Sequence, residues 1–176
     1  MIFIEDGGPG SCDGVRNAVF RYLGAHNVPA DVASEALCHC LAAIRDAGQV
    51  GGLAAELGLE VAGPRSNEHM ALYWDVTRDG RAMGFIYRGW DDPGFGVGEC
   101  VPVSADEMPV LMAQVDAVTR LLATNGVALT ITPLSAGGCW LDMTTVIYSD
   151  GFNAGTLRAT LGTVAKCAAT VRSMVE

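Results

Sequence analysis

Residues 69–88 have the sequence HMALYWDVTRDGRAMGFIYR, which is typical of a β-hairpin. β-Branched and aromatic residues, which pack well on a pleated surface, are frequent on both sides of Asp79-Gly80. An Asp-Gly pair readily adopts the positive φ angles of a two-residue hairpin turn, so it favours two antiparallel strands joined at that point. The sequence therefore predicts strands at His69–Thr77 and Arg81–Arg88.

A second hairpin is predicted between two helices in the C-terminal half of the chain. Val127–Leu134 alternates apolar and polar residues, and Cys139–Tyr148 follows it after a glycine-rich turn. One helix is predicted from Ser104 to Asn125, before the hairpin, and another lies after it. The last helix has an apolar stripe at helical spacing, which predicts that one side packs on the sheet. The stripe consists of Leu157, Leu161, Val164, Ala168, Val171 and Val175.

The N-terminal part is predicted to be mainly helical, with a short strand at Met1–Ile4. Helices are predicted at Gly14–Gly24, Asp31–Gly48 and Val50–Leu57. The glycine-rich stretch Gly89–Gly98 indicates a loop, and Val97–Val103 is typical of a short additional strand.

These elements together predict one α+β domain over residues 1–176, in which helices flank an antiparallel sheet of two hairpins. The predicted order is ααα-ββ(β)-α-ββ-α, where the strand in brackets is Val97–Val103. Residues 1–49 would supply an N-terminal strand and a helical pair, and residues 50–176 would form the core of the domain.

The composition argues against several classes of partner. The formal net charge is −9 and the isoelectric point is about 4.6. Nucleic-acid phosphates and anionic membranes both attract Lys and Arg, so we expect neither to be a partner. No basic segment followed by a long apolar run stands at the N-terminus, so we expect a cytoplasmic location. Hydrophobic residues nevertheless make up 50% of the chain, which favours a partner surface such as a homodimer or client-protein interface.

The six cysteines do not form a metal-binding pattern. Cys38-His39-Cys40 is the tightest group, but its two thiols would point about 200° apart on a helix. Zinc sites usually space paired ligands further apart and add a second pair, which the sequence lacks. We therefore expect reduced thiols and no metal.

The sequence also lacks a set of residues that would support catalysis. It contains no Gly-x-Ser-x-Gly, His-Glu-x-x-His or phosphate-binding Gly-x-x-x-x-Gly-Lys motif. Glu35 and His39 are one turn apart on a predicted helix, a spacing typical of a solvated pair. We therefore expect a binding protein without enzyme activity and without a cofactor.

Aromatic residues are concentrated on the first hairpin and the loop after it. Aromatic side chains are enriched at the anchor positions of protein interfaces, because they bury large areas at low entropic cost. They alternate between the two sides of a strand, so they cannot all belong to one core. The sequence predicts a partner-binding surface that contains Tyr73, Phe85, Tyr87, Trp90 and, from the second hairpin, Trp140.

Residues 50–176 resemble the type III secretion chaperones and the YbjN-like proteins. The resemblance is carried by Gly52–Leu59, Leu121–Asn125 and Thr145–Leu161, which are similar to the first helix, the end of the middle helix and the strand–turn–helix end of that family. It implies the order α-βββ-α-ββ-α and a chaperone-like or adaptor protein without enzyme activity. Such a protein holds an extended client segment in hydrophobic grooves beside its sheet, usually as a dimer.

A second resemblance implies an alternative function. The segment Asp92-x-Gly94-x-Gly96 is similar to the Asp-x-Gly-x-Gly segment of the histidine-kinase and anti-sigma-kinase ATPases. There the aspartate binds the adenine amine and the glycines let the backbone approach the nucleotide. Glu35 stands where that family has its general base, and His39 stands where it has a Mg²⁺-binding asparagine. Imidazole is a poor Mg²⁺ ligand, so this resemblance implies a degenerate ATP-binding regulatory module.

Overall fold

The structure, a computed structural model, describes residues 29–65, 72–89, 92–135 and 137–176. The predicted strand Met1–Ile4 and helix Gly14–Gly24 therefore lie outside the described residues, as does Trp90. The chain divides into two compact units, residues 1–50 and 51–176. The described elements are α1 (Ala30–Glu56), β1 (Glu60–Arg65), β2 (Leu72–Arg78), β3 (Arg81–Arg88), β4 (Gly94–Val103), α2 (Met108–Thr124), β5 (Ala128–Pro133), β6 (Cys139–Tyr148) and α3 (Ala154–Val175).

The described part of the first unit belongs to α1, which begins at Ala30 and continues without a break to Glu56. The predicted division into two helices, Asp31–Gly48 and Val50–Leu57, is wrong. Glycine in a helix costs only about 0.5–1 kcal/mol relative to alanine, so Gly48 does not end a helix whose neighbours favour it. Gly48 has no positive φ angle that would demand a turn there.

The second unit is built on one antiparallel sheet of six strands in the order β1-β2-β3-β4-β6-β5. The hairpins β2–β3 and β5–β6 are linked through β4, which pairs with both β3 and β6. The central pair β4–β6 is in register from Gly94 with Tyr148 to Val103 with Cys139. The predicted fold class is confirmed: the protein is α+β, with helices flanking a single antiparallel sheet. The assignment of residues 1–176 to one domain stays a prediction.

The sheet has one strand that the sequence analysis did not predict. β1 contains Gly63-Pro64, which is a turn signal in most contexts. It forms an edge strand instead, where a proline does not interrupt a ladder on both sides. Its pairing with β2 shifts register between Ala62 and Arg65.

The predicted loop Gly89–Gly98 is also wrong over its second half, because β4 begins at Gly94. β4 is a central strand, and Gly94, Gly96 and Gly98 are all buried in it. A side chain at Gly94 would overlap the carbonyl oxygen of Ile147 on β6. The glycines therefore reflect close packing between strands and not a flexible connection.

The core of the second unit lies between one face of the sheet and the two helices α2 and α3. Leu111, Val118 and Leu122 of α2 are buried together with alternate residues of β4 and β6. All six residues of the predicted α3 stripe are buried. α3 begins with a capping box, in which the Asn153 side chain accepts a hydrogen bond from the Thr156 N–H, and the Thr156 hydroxyl accepts one from the Asn153 N–H.

No helix in the described ranges combines the length and the apolar character that crossing a membrane requires.

Candidate functional site

The candidate site is the sheet face opposite α2 and α3, which we call the far face. Successive residues of a strand point to opposite sides of a sheet. Cys139, Leu141 and Met143 of β6 lie in the core with α2 and α3, so the residues between them point to the far face. On β6 these are Trp140, Asp142, Thr144, Val146 and Tyr148, and their register neighbours include Pro102, Cys100, Gly98, Gly96 and Gly94 of β4.

Large apolar side chains are exposed along the far side of β6. Trp140 is 39% exposed, Val146 is 46% exposed and Tyr148 is 63% exposed. Buried Leu141 and Met143 alternate with this exposed row on the same strand. At about 3.4 Å per residue, Trp140 and Tyr148 lie about 27 Å apart along β6. The row is therefore long enough to contact an extended segment of about eight residues.

A cluster of three aromatic rings stands beside this row on β2 and β3. The rings of Tyr73 and Phe85 are stacked with centroids 5.3 Å apart, and the Phe85 and Tyr87 centroids are 6.2 Å apart. Phe85 and Tyr87 lie over Gly98 and Gly96, where a Cβ would overlap the rings. The two glycines thus let the aromatic rings lie flat on the far face.

Charged side chains of β1 and β2 flank the aromatic cluster at its outer end, beside Tyr73. The Arg65 guanidinium lies 5.6 Å from the centre of the Tyr73 ring and forms an ion pair with Asp75. A cation over an aromatic face is attracted by the ring quadrupole. Burial raises the pKa of the Tyr73 hydroxyl, and the nearby arginine opposes that rise. The charges that flank the cluster are therefore already paired.

A polar group interrupts the apolar row at Asp142. The Cys100 thiol on β4 donates a hydrogen bond to the Asp142 carboxylate, and the Thr132 hydroxyl lies 3.4 Å from it. Burial raises the pKa of the Cys100 thiol to about 12, and the hydrogen bond and negative charge of Asp142 add to the rise. Such a thiol stays protonated and is a poor nucleophile. Asp142 therefore places a carboxylate within the apolar row of the far face.

The structure brings four of the five predicted partner-binding residues onto one face. Tyr73, Phe85, Tyr87 and Trp140 all lie on the far face, whereas Trp90 lies outside the described residues. Phe85 is itself buried, so it supports the two tyrosines that flank it.

Two exposed residues of the same face, Val146 and Tyr148, were not predicted from the sequence. Both stand at even spacing from Trp140 in CWLDMTTVIY, so strand alternation could have identified them.

The residues of the alternative, nucleotide-binding prediction fall in both units. Glu35 and His39 are exposed on α1 in the first unit, with the imidazole nitrogen 3.9 Å from the carboxylate. In the second unit, the Asp92 carboxylate accepts a hydrogen bond of 3.1 Å from the Gly89 N–H, which closes a turn. Gly94 and Gly96 belong to β4, where neighbouring strands explain them without a nucleotide.

A shallow pocket of about 420 Å³ lies in the second unit at the end of the sheet where β4 ends, beside Pro102 and Val103. Two of its charged lining residues have partners: Arg172 donates to the Glu99 carboxylate at 2.7 Å, and Glu107 accepts from the Ser104 N–H at 2.6 Å. That hydrogen bond lowers the pKa of Glu107. Within the described ranges, no three His, Cys, Asp or Glu side chains are grouped so that they could hold a metal ion.

One solved structure is similar to the chain, whereas no protein-family model and no curated protein matches it. This structure is the crystal structure of an uncharacterized protein from Methanothermobacter thermautotrophicus. The match has a TM-score of 0.59 at 14% identity and covers 73% of this chain and 94% of that one. At this identity the similarity shows the fold alone.

Proposed function

We propose that the protein is a chaperone-like or adaptor protein that holds an extended segment of a client protein on the far face. The observation that carries this proposal is the exposed apolar row on β6, formed by Trp140, Val146 and Tyr148. Exposing these side chains to water is unfavourable, and large apolar side chains grouped on one face of a folded domain are typical of a binding site. The resemblance of residues 50–176 to the type III secretion chaperones supports the same function.

The geometry of the far face indicates the chemistry of the client segment. An extended peptide presents alternate side chains to one side, at the same spacing as the row on β6. Apolar or aromatic residues at alternate positions would cover Trp140, Val146 and Tyr148. A basic residue or another hydrogen-bond donor between them would pair with the Asp142 carboxylate. The net charge of −9 also favours a basic segment, because opposite charge accelerates association.

An immobilised library of random 15-residue peptides tests this proposal. The full chain should bind peptides that alternate apolar residues and contain Lys or Arg. The double variant Trp140→Ser/Tyr148→Ser should bind the same peptides at least about tenfold more weakly, since aromatic anchors often contribute 2 kcal/mol or more.

The matched control is Val110→Ser/Met112→Ser on α2, whose residues are 41% and 63% exposed in the wild type. It removes similar apolar area from another surface and should bind the peptides as the wild type does. Equal loss in both double variants, or no peptide bound above background, would argue against the far face as the client site. Circular dichroism of each variant checks that it is folded.

A further inference from the structure

The two edges of the sheet differ in how they are protected. β1 carries Glu60 and Arg65, contains Pro64 and is broken by a register shift, and these features prevent pairing with another strand. β5, at the opposite edge, has the sequence ALTITP with no charged residue, and it keeps one register with β6 over its whole length. Among the described residues, β5 pairs only with β6. Ile131, in the middle of β5, is 44% exposed.

The hydrogen bonds at the β5–β6 turn show which backbone groups of β5 face outward. The Leu134 N–H donates to the Gly138 carbonyl at 3.1 Å, so the backbone of Leu134 points towards β6. Backbone groups alternate in direction along an antiparallel strand. The backbone N–H and C=O groups of Thr130 and Thr132 therefore also point towards β6. The backbone groups of Leu129 and Ile131 point away from it.

The residues on either side of this pair cannot donate a hydrogen bond at the edge. Pro133 has no N–H, although its position in the alternation also faces outward. The N–H of Val127 already donates to the Leu122 carbonyl at 2.9 Å. An added strand would therefore find both donors and acceptors at Leu129 and Ile131.

We propose that this edge pairs in antiparallel orientation with β5 of a second copy of the chain, about a two-fold axis at Thr130. In that register Leu129 lies opposite the second copy's Ile131, and the two pairs related by symmetry form four N–H···O=C hydrogen bonds. A shift by two residues in either direction brings Pro133 or Val127 into the ladder and loses donors. The sequence of β5 thus specifies one register.

The side chains are complementary in the same register, which is why we assign a second copy and not a client strand to this edge. Leu129 and Ile131 lie on the α2–α3 side of the sheet and would pack against each other across the axis. Thr130 would face the second copy's Thr130 on the far face, and Thr–Thr pairs stabilise antiparallel strands. β5 contains no charged residue, so no like charges would lie opposite each other across the axis. The repulsion between two chains of charge −9 is long-ranged and is screened by physiological salt.

This pairing would continue the sheet from one copy into the other. A two-fold axis perpendicular to the sheet keeps both far faces on the same side, so both copies of Trp140 would belong to one surface. The pairing does not depend on client binding, and the two proposals can fail separately.

Analytical ultracentrifugation of the full chain at physiological salt tests the pairing. The wild type should sediment as a dimer whose fraction rises with concentration. Thr130→Lys places two ammonium groups opposite each other at an exposed site, so it should give a monomer. Thr130→Glu should also be monomeric, and an equimolar mixture of the two variants should recover the dimer, because the opposite charges meet at the axis.

Ile131→Pro tests the pairing of the β5 edge in a second way. It removes an N–H that points away from β6, so the β5–β6 hydrogen bonds remain and the dimer should be lost. Val146→Lys adds a charge at a similarly exposed residue of the neighbouring strand and should leave the dimer intact while weakening peptide binding. A wild type that is monomeric throughout, a dimeric Thr130→Lys variant, or a mixture that stays monomeric would overturn the proposal.

Discussion

The two sides of β6 differ in what surrounds them: one side lies in the core and the other is exposed on the far face. Leu141 and Met143 are fully buried in the core with α2 and α3, whereas Val146 and Tyr148, at odd spacing from them, are exposed on the far face. The same alternation that builds the core leaves an apolar row on the other side, and the glycines of β4 flatten the surface beside it. Hydrophobicity alone therefore does not identify the core, because position relative to the helices decides which side is buried.

The largest expected difference between the two sides is in stability. Leu141→Ala should lower the free energy of unfolding by about 2–5 kcal/mol, because it leaves a cavity in a close-packed core. Val146→Ala removes a smaller group that is 46% exposed, so it should cost at most about 1 kcal/mol. Urea denaturation midpoints of the two variants measure the difference. Equal losses would mean that the far face is as well packed as the core.

The glycines beneath the aromatic cluster give the next largest effect. Gly98→Ala would push its Cβ into the Phe85 ring and the Met143 carbonyl, so we expect a loss of about 1–3 kcal/mol. Gly162→Ala is the matched control: it lies in α3 with no atom within 4 Å of the added Cβ, and it should stabilise by about 0.5–1 kcal/mol. Thermal unfolding of both variants checks the sign. A stabilising Gly98→Ala would contradict the packing of Phe85 on β4.

The reactivity of the Cys100 thiol tests its burial on the far face and its contact with Asp142. Its pKa is raised to about 12 by burial and by Asp142, so alkylation should be slow at pH 8 and should accelerate only towards that value. Asp142→Asn removes the negative charge, lowers the pKa and should speed alkylation of Cys100. Mass spectrometry of iodoacetamide-treated protein, with exposed Cys38 and Cys40 as internal references, follows each site. An unchanged rate in Asp142→Asn would rule out the carboxylate as a cause.

The same shift predicts how stability depends on pH. A thiol whose pKa is higher in the folded chain than in the unfolded chain favours folding while it is protonated. The contribution of Cys100 is therefore fully present below pH 9 and is lost as pH rises from about 9 to about 12. Cys100→Ser should flatten the fall in stability over this window, which denaturation at several pH values measures. A Cys100→Ser variant that loses stability as steeply as the wild type would assign the fall to other groups.

The smallest expected effect is at Asp92. Asp92→Asn keeps an oxygen that can accept from the Gly89 N–H, so the free energy of unfolding should change by only about 0.5 kcal/mol. We expect no thermal shift of the wild type with ATP and Mg²⁺. Binding at 100 times the dissociation constant would instead add about 2.7 kcal/mol, and Asp92→Asn would abolish it. That result would favour the ATP-binding alternative.

The elements whose local pattern is unambiguous could be predicted from the sequence. Arg81–Arg88 was predicted with the bounds that β3 has in the structure, because the Asp79-Gly80 turn fixes where the strand begins. The stripe of α3 was predicted because its spacing of three and four residues fits only a helix packed on one side. The shared face of Tyr87 and Phe85 followed from strand alternation.

The remaining features depend on residues that are distant in sequence. A run such as Gly94–Gly98 is the same whether it forms a loop or a strand. The rings of Phe85 and Tyr87 on β3 and the backbone of β6 make glycine necessary in β4. β1 was missed because its pairing with β2, and not its own composition, makes it a strand. Strand alternation places Val146 and Tyr148 on the same side of β6 as Trp140, but whether that side is exposed depends on where α2 and α3 pack.

We propose that the far face, and not the helical side, contacts the client. Site-specific photo-cross-linking tests it most directly, with a benzophenone side chain placed at Val146 or, as the control, at Met112 of α2. The probe is the tightest-binding peptide from the random library. We predict a cross-link from residue 146 that unlabelled peptide competes away, and none from residue 112. A cross-link from residue 112 with none from residue 146 would contradict the account.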